Sequence, residues 1–408
     1  MDLPESLSLF RNKKIRILLL ASLISASGSA MAPVALAFTV LGFDSRPGSL
    51  AIVLAGSTVP QLVLLLVGGV AADRFSRRRL IVIGNVVPAL AQGGVALLVV
   101  WGAADTTRVA LFAAVASGAA ALAQPAMSSL PPLFVEAHRL QEANALLRLP
   151  TNVVRVLAPA LGGVLVALVG PQLTLAWDAA SFLIAALLYS RLEISGPVAA
   201  KGSALRDFHT GWTEFTQRFW LWSYTLSGTV VVALWLGGYA LLGPVVAHDS
   251  GLGSAGWGTV QGSFAVGLVL GAVVSLRWKP SRIMIVCVAA NLPLALPLVA
   301  LALDAPLLVL AGCAALAGVG VDLAIVCWNT VMQQQLPGEL LGRLNSFSSI
   351  GELAAVPLGY LLVGAAAASW GVTPVLLTGA LLMTLATVAL FAAPSLWSLR
   401  RAPATVPV

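Results

Sequence analysis

Long apolar runs alternate with short polar connections along this chain, and the runs themselves, more than any amphipathic period, dominate the pattern. Twelve of them predict helices, at 15–43, 49–72, 80–101, 107–134, 143–169, 172–190, 219–247, 255–278, 282–303, 306–334, 345–369 and 373–393. Each carries about 20 mostly apolar residues, enough to cross a hydrocarbon core of about 30 Å. The first follows Arg11, Lys13, Lys14 and Arg16 and imitates a secretory signal, with small residues from Ser27 to Ala30. Its run continues to Phe43 without a polar break, so it is expected to stay as an uncleaved first span.

Composition removes the soluble alternatives. With 59% hydrophobic and only 10% charged residues, and a mean hydropathy of +0.95, the chain reads as a polytopic membrane protein. A net charge of +7 would suggest nucleic acid in a soluble protein. Here all but Arg46, Arg108 and Arg155 of the 23 lysines and arginines fall in or near the termini and the even-numbered connections. Basic residues favour the cytoplasmic side, which excludes nucleic acid as a partner and places both termini in the cytoplasm. Cys287, Cys313 and Cys327 lie in apolar runs, and His138, His209 and His248 are far apart, so neither a disulfide framework nor a metal is expected. No phosphate-binding G-x-x-x-x-G-K-[ST] loop occurs, so no nucleotide or other cofactor is expected and transport energy must come from a gradient.

The densest charge lies at Gly68–Leu80, GGVAADRFSRRRL, between the second and third spans. Asp73 ends the incoming helix, where unpaired carbonyls disfavour an anion, so Arg74, Arg77, Arg78 and Arg79 are needed nearby. The order Gly69, Ala72, Asp73, Arg74, Arg77, Arg78 resembles the loop signature of major facilitator superfamily transporters, in particular the branch of enterobactin and macrolide exporters. Ser76 and Ala71 depart from the commoner glycine and leucine. The resemblance extends to Glu142-A-Asn144-A-L, to Gln335-L-Pro337-x4-Gly342-Arg343-x-Asn345-Ser346 and to Pro357-L-Gly359-Tyr360.

The resemblance implies an all-α polytopic membrane protein with twelve transmembrane helices in two pseudo-symmetric six-helix bundles. The bundles would occupy 1–190 and 219–408, the second with a short tail, joined by a cytoplasmic loop at 191–218. Traces of the repeat are ordered: Asn144 leads to Pro159 and Gly162 in the first half, and Asn345 leads to Pro357 and Gly359 in the second. Within the central loop, Leu205, Phe208, Trp212, Phe215 and Phe219 recur at helical spacing, which predicts an interfacial amphipathic helix. Trp101, Trp220, Trp222, Trp257, Trp278, Trp370 and Trp397 fall near span ends, as interfacial indoles do.

The function implied is secondary active export of small amphipathic compounds, drug-, antibiotic- or siderophore-like, across the cytoplasmic membrane, by proton antiport and alternating access. An importer of a small solute and a polytopic membrane enzyme are the alternatives; an enzyme would need clustered acids or histidines at a mouth, and the sequence has none. The expected partners are a small-molecule substrate, protons and membrane lipid, with the chain acting as a monomer. The family further implies a conformational latch at Gly69, Asp73, Arg74, Arg77 and Arg78, with Asp73 directed to the N-terminus of span 11.

An ionisable group within a span costs about 2.5–3.5 kcal/mol on insertion scales, so Arg155, Asp178, Asp322 and Glu352 each require a reason. By resemblance, spans 3, 6, 9 and 12 lie away from the substrate path, which makes Asp178 the least suited to touch substrate. Asp322, Asn329 and Gln333 share one helix face, and Asn345, Ser348, Ser349 and Glu352 share another. Asp322 and Glu352 are therefore the candidates for proton coupling, expected to converge. Arg155 either faces the cavity or pairs with Asp178; the sequence leaves both open. The stretch Arg155-V-L-A-Pro159-A-L-Gly162-Gly163 is similar to the antiporter signature of drug exporters, with Ala158 in place of a glycine and the upstream glycines missing. Pro159 predicts a kink, and Gly162 and Gly163 predict close helix approach. Trp235 and Tyr239 would supply an aromatic wall for substrate. Gln61, Asn85, Gln92, Gln124, Asn152, Asn291 and Trp328 are expected to bond or pack between helices.

Overall fold

The computed structural model describes residue 9 and residues 12–136, 139–192 and 212–399. Twelve helices in it are long and apolar enough to cross a membrane. They are α1 (Lys13–Leu41), α2 (Pro47–Arg74), α3 (Arg77–Val100), α4 (Thr106–Ser128), α5 (Leu140–Val169) and α6 (Pro171–Ser190), then α7 (Phe219–Asp249), α8 (Gly253–Arg277), α9 (Ile283–Ala302), α10 (Leu307–Gln335), α11 (Gly338–Trp370) and α12 (Val372–Ala389). Among the described residues there is no strand. The lead residues of the central amphipathic helix, Leu205 and Phe208, lie outside the described residues; what is described begins with a helical turn at 212–217.

Helix ends follow the local chemistry. Asn12 accepts from the Lys14 amide at 3.0 Å to start α1, and Asp105 accepts from the Arg108 amide at 2.9 Å to start α4. α4 stops at Ser128, short of the expected 134, because Pro131 and Pro132 open a separate 3-10 turn at Pro131–Leu133. α11 begins seven residues earlier than the sequence pattern suggested. Pro337, with φ −58° and ψ 140°, turns the chain and starts α11 at once, so only Leu336 and Pro337 separate it from α10. In each half one glycine alone joins the fifth helix to the sixth: Gly170 at φ 83°, ψ 162° and Gly371 at φ 86°, ψ 161°. Positive φ of this kind is open to glycine and strained for other residues, so this recurring turn is a second trace of the repeat.

Two units emerge from the packing, one of Met1–Lys201 with Gly251–Gly258 and the other of Gly202–Ser250 with Thr259–Val408. In the first, α2 packs most extensively on α4, where Ser117 donates to the Ser57 carbonyl at 2.6 Å. α1 and α6 meet through small and polar residues: Ser22 lies 3.2 Å from the Tyr189 hydroxyl, and Gly28 lies against Asp178 and Ser181. In the second, α7 lies on α11, where Thr225 and Ser348 hydroxyls are 3.0 Å apart, and on α12, where Ser227 donates to the Ala386 carbonyl at 3.0 Å. Small residues at such seams let backbones approach, the usual basis of helix association in lipid. Leucines point outward instead, Leu168 at 76% and Leu308 at 86% exposure, which suits hydrocarbon and not water.

Candidate functional site

The second unit gathers most of the chemistry. After Trp235, α7 widens into one π-helical stretch, Leu236–Leu241, that carries Gly237, Gly238 and Tyr239. π-helical turns of this kind often mark functional sites. The extra residue stacks Trp235 on Tyr239, with ring centroids 4.3 Å apart and planes 10° apart. Phe264 of α8 completes the cluster at 5.7 Å from Trp235 and 5.8 Å from Tyr239. Tyr239 is buried, whereas Trp235 and Phe264 are half-buried and keep a surface to offer.

The carboxyls are held by different helices. Asp322 on α10 packs against Gly271 of α8, with Ser275 as its neighbouring hydroxyl. Glu352 on α11 lies by Gly228 of α7, its Oε1 3.6 Å from where a Cβ on that glycine would be. Asp322 therefore has its neighbour on α8, and Glu352 has its neighbour on α7. Asn329 and Gln333 are exposed on α10, and Asn345, Ser349 and Glu352 form an exposed row on α11. Ser348, expected in that row, is buried against α7 by its contact with Thr225.

In the first unit, the side chains of Asp73 and Arg74 lie outside the described residues; with Gly69, their backbone belongs to α2. Arg77 is buried at the start of α3, and Arg78 donates to the carbonyl of Ser190, the last residue of α6. That contact gives Arg78 a local role, a cation on a helix C-terminus. Arg155 is exposed and forms no ion pair with Asp178, which is fully buried, so of the two placements left open the pair is the one the structure does not adopt. α5 continues as one helix through Pro159; Gly162 abuts Met31 of α1, and Gly163 abuts Ser254 and Gly258. Of the span-end indoles, Trp101, Trp278 and Trp370 are well exposed, whereas Trp257, a full turn inside α8, is buried.

A family model described as transmembrane secretion effector matches residues 5–401, nearly the whole chain. The chain belongs to that family. Its members are membrane transporters of the major facilitator superfamily and not enzymes. Among curated relatives, the chain is 28% identical over 365 residues to a protein called multidrug efflux pump Tap from Mycobacterium tuberculosis, covering 85% of each. It is 25% identical over 325 residues to one called enterobactin exporter EntS from Shigella flexneri, covering 77% of this chain and 75% of that one. The fold matches solved transporters at lower identity. A bacterial homologue of the lysosomal transporter Spinster gives a TM-score of 0.71 at 15% identity, covering 96% of this chain and 99% of that one. A bacterial homologue of ferroportin gives 0.69 at 20% identity, covering 92% and 98%.

Several groups in this secretion effector chain escaped sequence reasoning. The π turn is one; its available signal was the Gly237-Gly238 pair just after Trp235 in an otherwise apolar span. Phe264 is another, since a lone phenylalanine in an apolar run has no local mark. Asn291, expected to bond between helices, does so: it donates to the Tyr224 hydroxyl at 3.3 Å, and the Tyr224 ring stacks on Trp328 at 4.4 Å. Asn85 instead donates to the Ile81 carbonyl of its own helix at 2.7 Å.

Proposed function

We propose that the chain exports small amphipathic compounds across the cytoplasmic membrane by proton antiport and alternating access, with both termini in the cytoplasm. The observation that carries this reading is the aromatic cluster of Trp235, Tyr239 and Phe264 on a π-helical turn, in a unit that also carries two span carboxyls, Asp322 and Glu352. Stacked rings suit flat, partly apolar substrates, and carboxyls suit protons or a cationic substrate group. The names of the relatives, a multidrug pump and a siderophore exporter, support the outward direction and a substrate of this kind.

In this reading Trp235, Tyr239, Asn329 and Gln333 contact substrate, Arg155 faces the cavity, and Asp322 and Glu352 take up and release protons one at a time, each in its own surroundings. Gly69, Asp73, Arg74 and Arg77 act as a latch, with Arg78 supporting α6. Pro159, Gly162 and Gly163 shape α5 for close packing. The test is dye or drug uptake into inverted membrane vesicles energised by a proton gradient. Wild type accumulates substrate and acidification collapses on its addition; Asp322→Asn with Glu352→Gln loses the gradient dependence. Undiminished gradient-driven uptake by the double variant would overturn the coupling assignment.

A further inference from the structure

Three buried oxygens in the first unit lack a hydrogen-bond donor among the described residues: Oδ1 and Oδ2 of Asp178 on α6, and Oε1 of Gln92 on α3. Asp178 is fully buried and Gln92 is 6% exposed. The third wall of their site is α1. A Cβ on Gly28 would stand 2.7 Å from both the Cα and Oδ1 of Asp178, so the two backbones are as close as a glycine permits.

The nearby hydroxyls are already spent. Ser181 donates to the backbone carbonyl of Asp178 at 2.7 Å, and Ser29, beside the carboxyl, donates to the Ser25 carbonyl at 2.9 Å. No charge compensates either. α6 packs against α1, α3 and α5. On α1 the charged residues are Lys13, Lys14 and Arg16, and on α3 they are Arg77, Arg78 and Arg79; all lie in the first turns, three or more turns from this site. On α5, Glu142 pairs with Arg139, Arg148 lies at the inner end, and Arg155 is exposed. On α6 itself Tyr189 bonds Ser22, and Arg191 follows the helix.

An ionised carboxyl in this seam has only the Gln92 amide and the Ser29 hydroxyl as donors beside it, neither within hydrogen-bond distance, and no cation, an arrangement that burial makes unfavourable. One proton changes the accounting. Gln92 lies beside the carboxyl, so with its amide oxygen turned to Asp178 a carboxylic acid there donates to Oε1, and a single hydrogen supplies two of the three unsatisfied oxygens. When the proton leaves, the Gln92 amide turned over presents its N–H instead, and the same pair serves either state. We infer that Asp178 and Gln92 form a proton-binding site inside the N-terminal bundle, separate from Asp322 and Glu352. The inference does not rest on antiport through those acids. Ser29 is exposed on α1 and is the polar side chain through which the site reaches the surface. Loss of the proton leaves one carboxylate oxygen that the Gln92 N–H does not serve, and the water it needs is admitted where α1 and α6 part at Gly28.

The full-length protein in lipid nanodiscs is titrated with pH while infrared difference spectra follow the carbonyl stretch of protonated carboxyl groups. Wild type shows a band that vanishes on alkalinisation; Asp178→Asn lacks it, and Asp322→Asn with Glu352→Gln keeps it. A band unaltered in Asp178→Asn overturns the proposal, as does a band that sodium or calcium removes from wild type at constant pH, which would make this a metal-cation site. Should Asp178→Asn fail to fold, hydrogen exchange on wild type decides. Amides of α1 near Gly28 and of α6 near Asp178 exchange faster as the pH passes the point where the band is lost, and exchange independent of pH there overturns the proposal.

Discussion

Single residues set the charges of this membrane protein. Arg46, between α1 and α2, and Arg108, at the start of α4, are each answered locally: Arg46 bonds Asp44 at 2.7 Å, and Arg108 bonds Asp105 at 3.1 Å. Hydrogen bonds from Arg46 and Ser49 hold the Asp44 carboxyl well below the usual carboxylate range. A carboxyl depressed in the folded state contributes stability above its unfolded value, about 3.9, and loses it as pH falls through the folded one. Asp44→Asn should therefore lower the melting temperature slightly at neutral pH, and the gap to wild type should close as the pH drops below about 4. Thermal denaturation in detergent at a series of pH values checks this. Arg78 makes a further residue-scale prediction. It caps the last carbonyl of α6, so Arg78→Ala should cost roughly 0.3–1 kcal/mol of stability, with Arg78→Lys restoring part of it. Equal melting temperatures for the alanine variant and wild type would return Arg78 to a purely conformational role.

At the scale of elements, the spans were legible and their internal departures were not. Apolar run length sets where a helix crosses, so α6 at Pro171–Ser190 falls within one residue of its expected bounds. A π turn changes neither composition nor length, and the short α10 to α11 connection was masked by polar residues that read as loop yet form a helix. Ionisable residues were legible where they are costly: Asp178, Asp322 and Glu352 stand out because charge within a span must be explained. Which neighbour each acid meets depends on helix rotation, and small differences in rotation separate Asp322, against α8, from Glu352, against α7. Helix rotation also decides the fate of Arg155, exposed on α5 while Asp178 is buried on α6. Residues that do not meet have independent effects, so the losses from Arg155→Leu and Asp178→Leu should add within about 0.3–0.5 kcal/mol in the double variant. Double-variant stability well above that sum would show an ion pair. The π turn carries its own expectation. Trp235→Ala removes one stacked ring and should weaken transport of flat aromatic substrates about tenfold, the worth of roughly 1.4 kcal/mol, while small non-aromatic substrates change little; initial uptake rates across a substrate panel read the difference.

Across the whole molecule, twelve helices and the uneven placement of lysine and arginine together determine a topology. An even number of crossings puts both ends of the chain on one side. Under the proposed orientation that side is the cytoplasm, since short connections rich in lysine and arginine favour it. Thr107 is exposed in the first turn of α4, next to the connection between α3 and α4, and Lys279 is exposed in the connection between α8 and α9. These two positions should face opposite sides of the membrane. The native cysteines make the measurement clean, since Cys287 and Cys327 are buried and Cys313 is half-buried within α10. In intact cells, a membrane-impermeant thiol reagent should label Thr107→Cys at once and leave Lys279→Cys unlabelled until the cells are permeabilised. The reverse pattern would place the termini outside and overturn the charge argument. Labelling of both in intact cells would break the count of twelve crossings, because five helices, α4 to α8, separate the two positions and an odd number must exchange the sides.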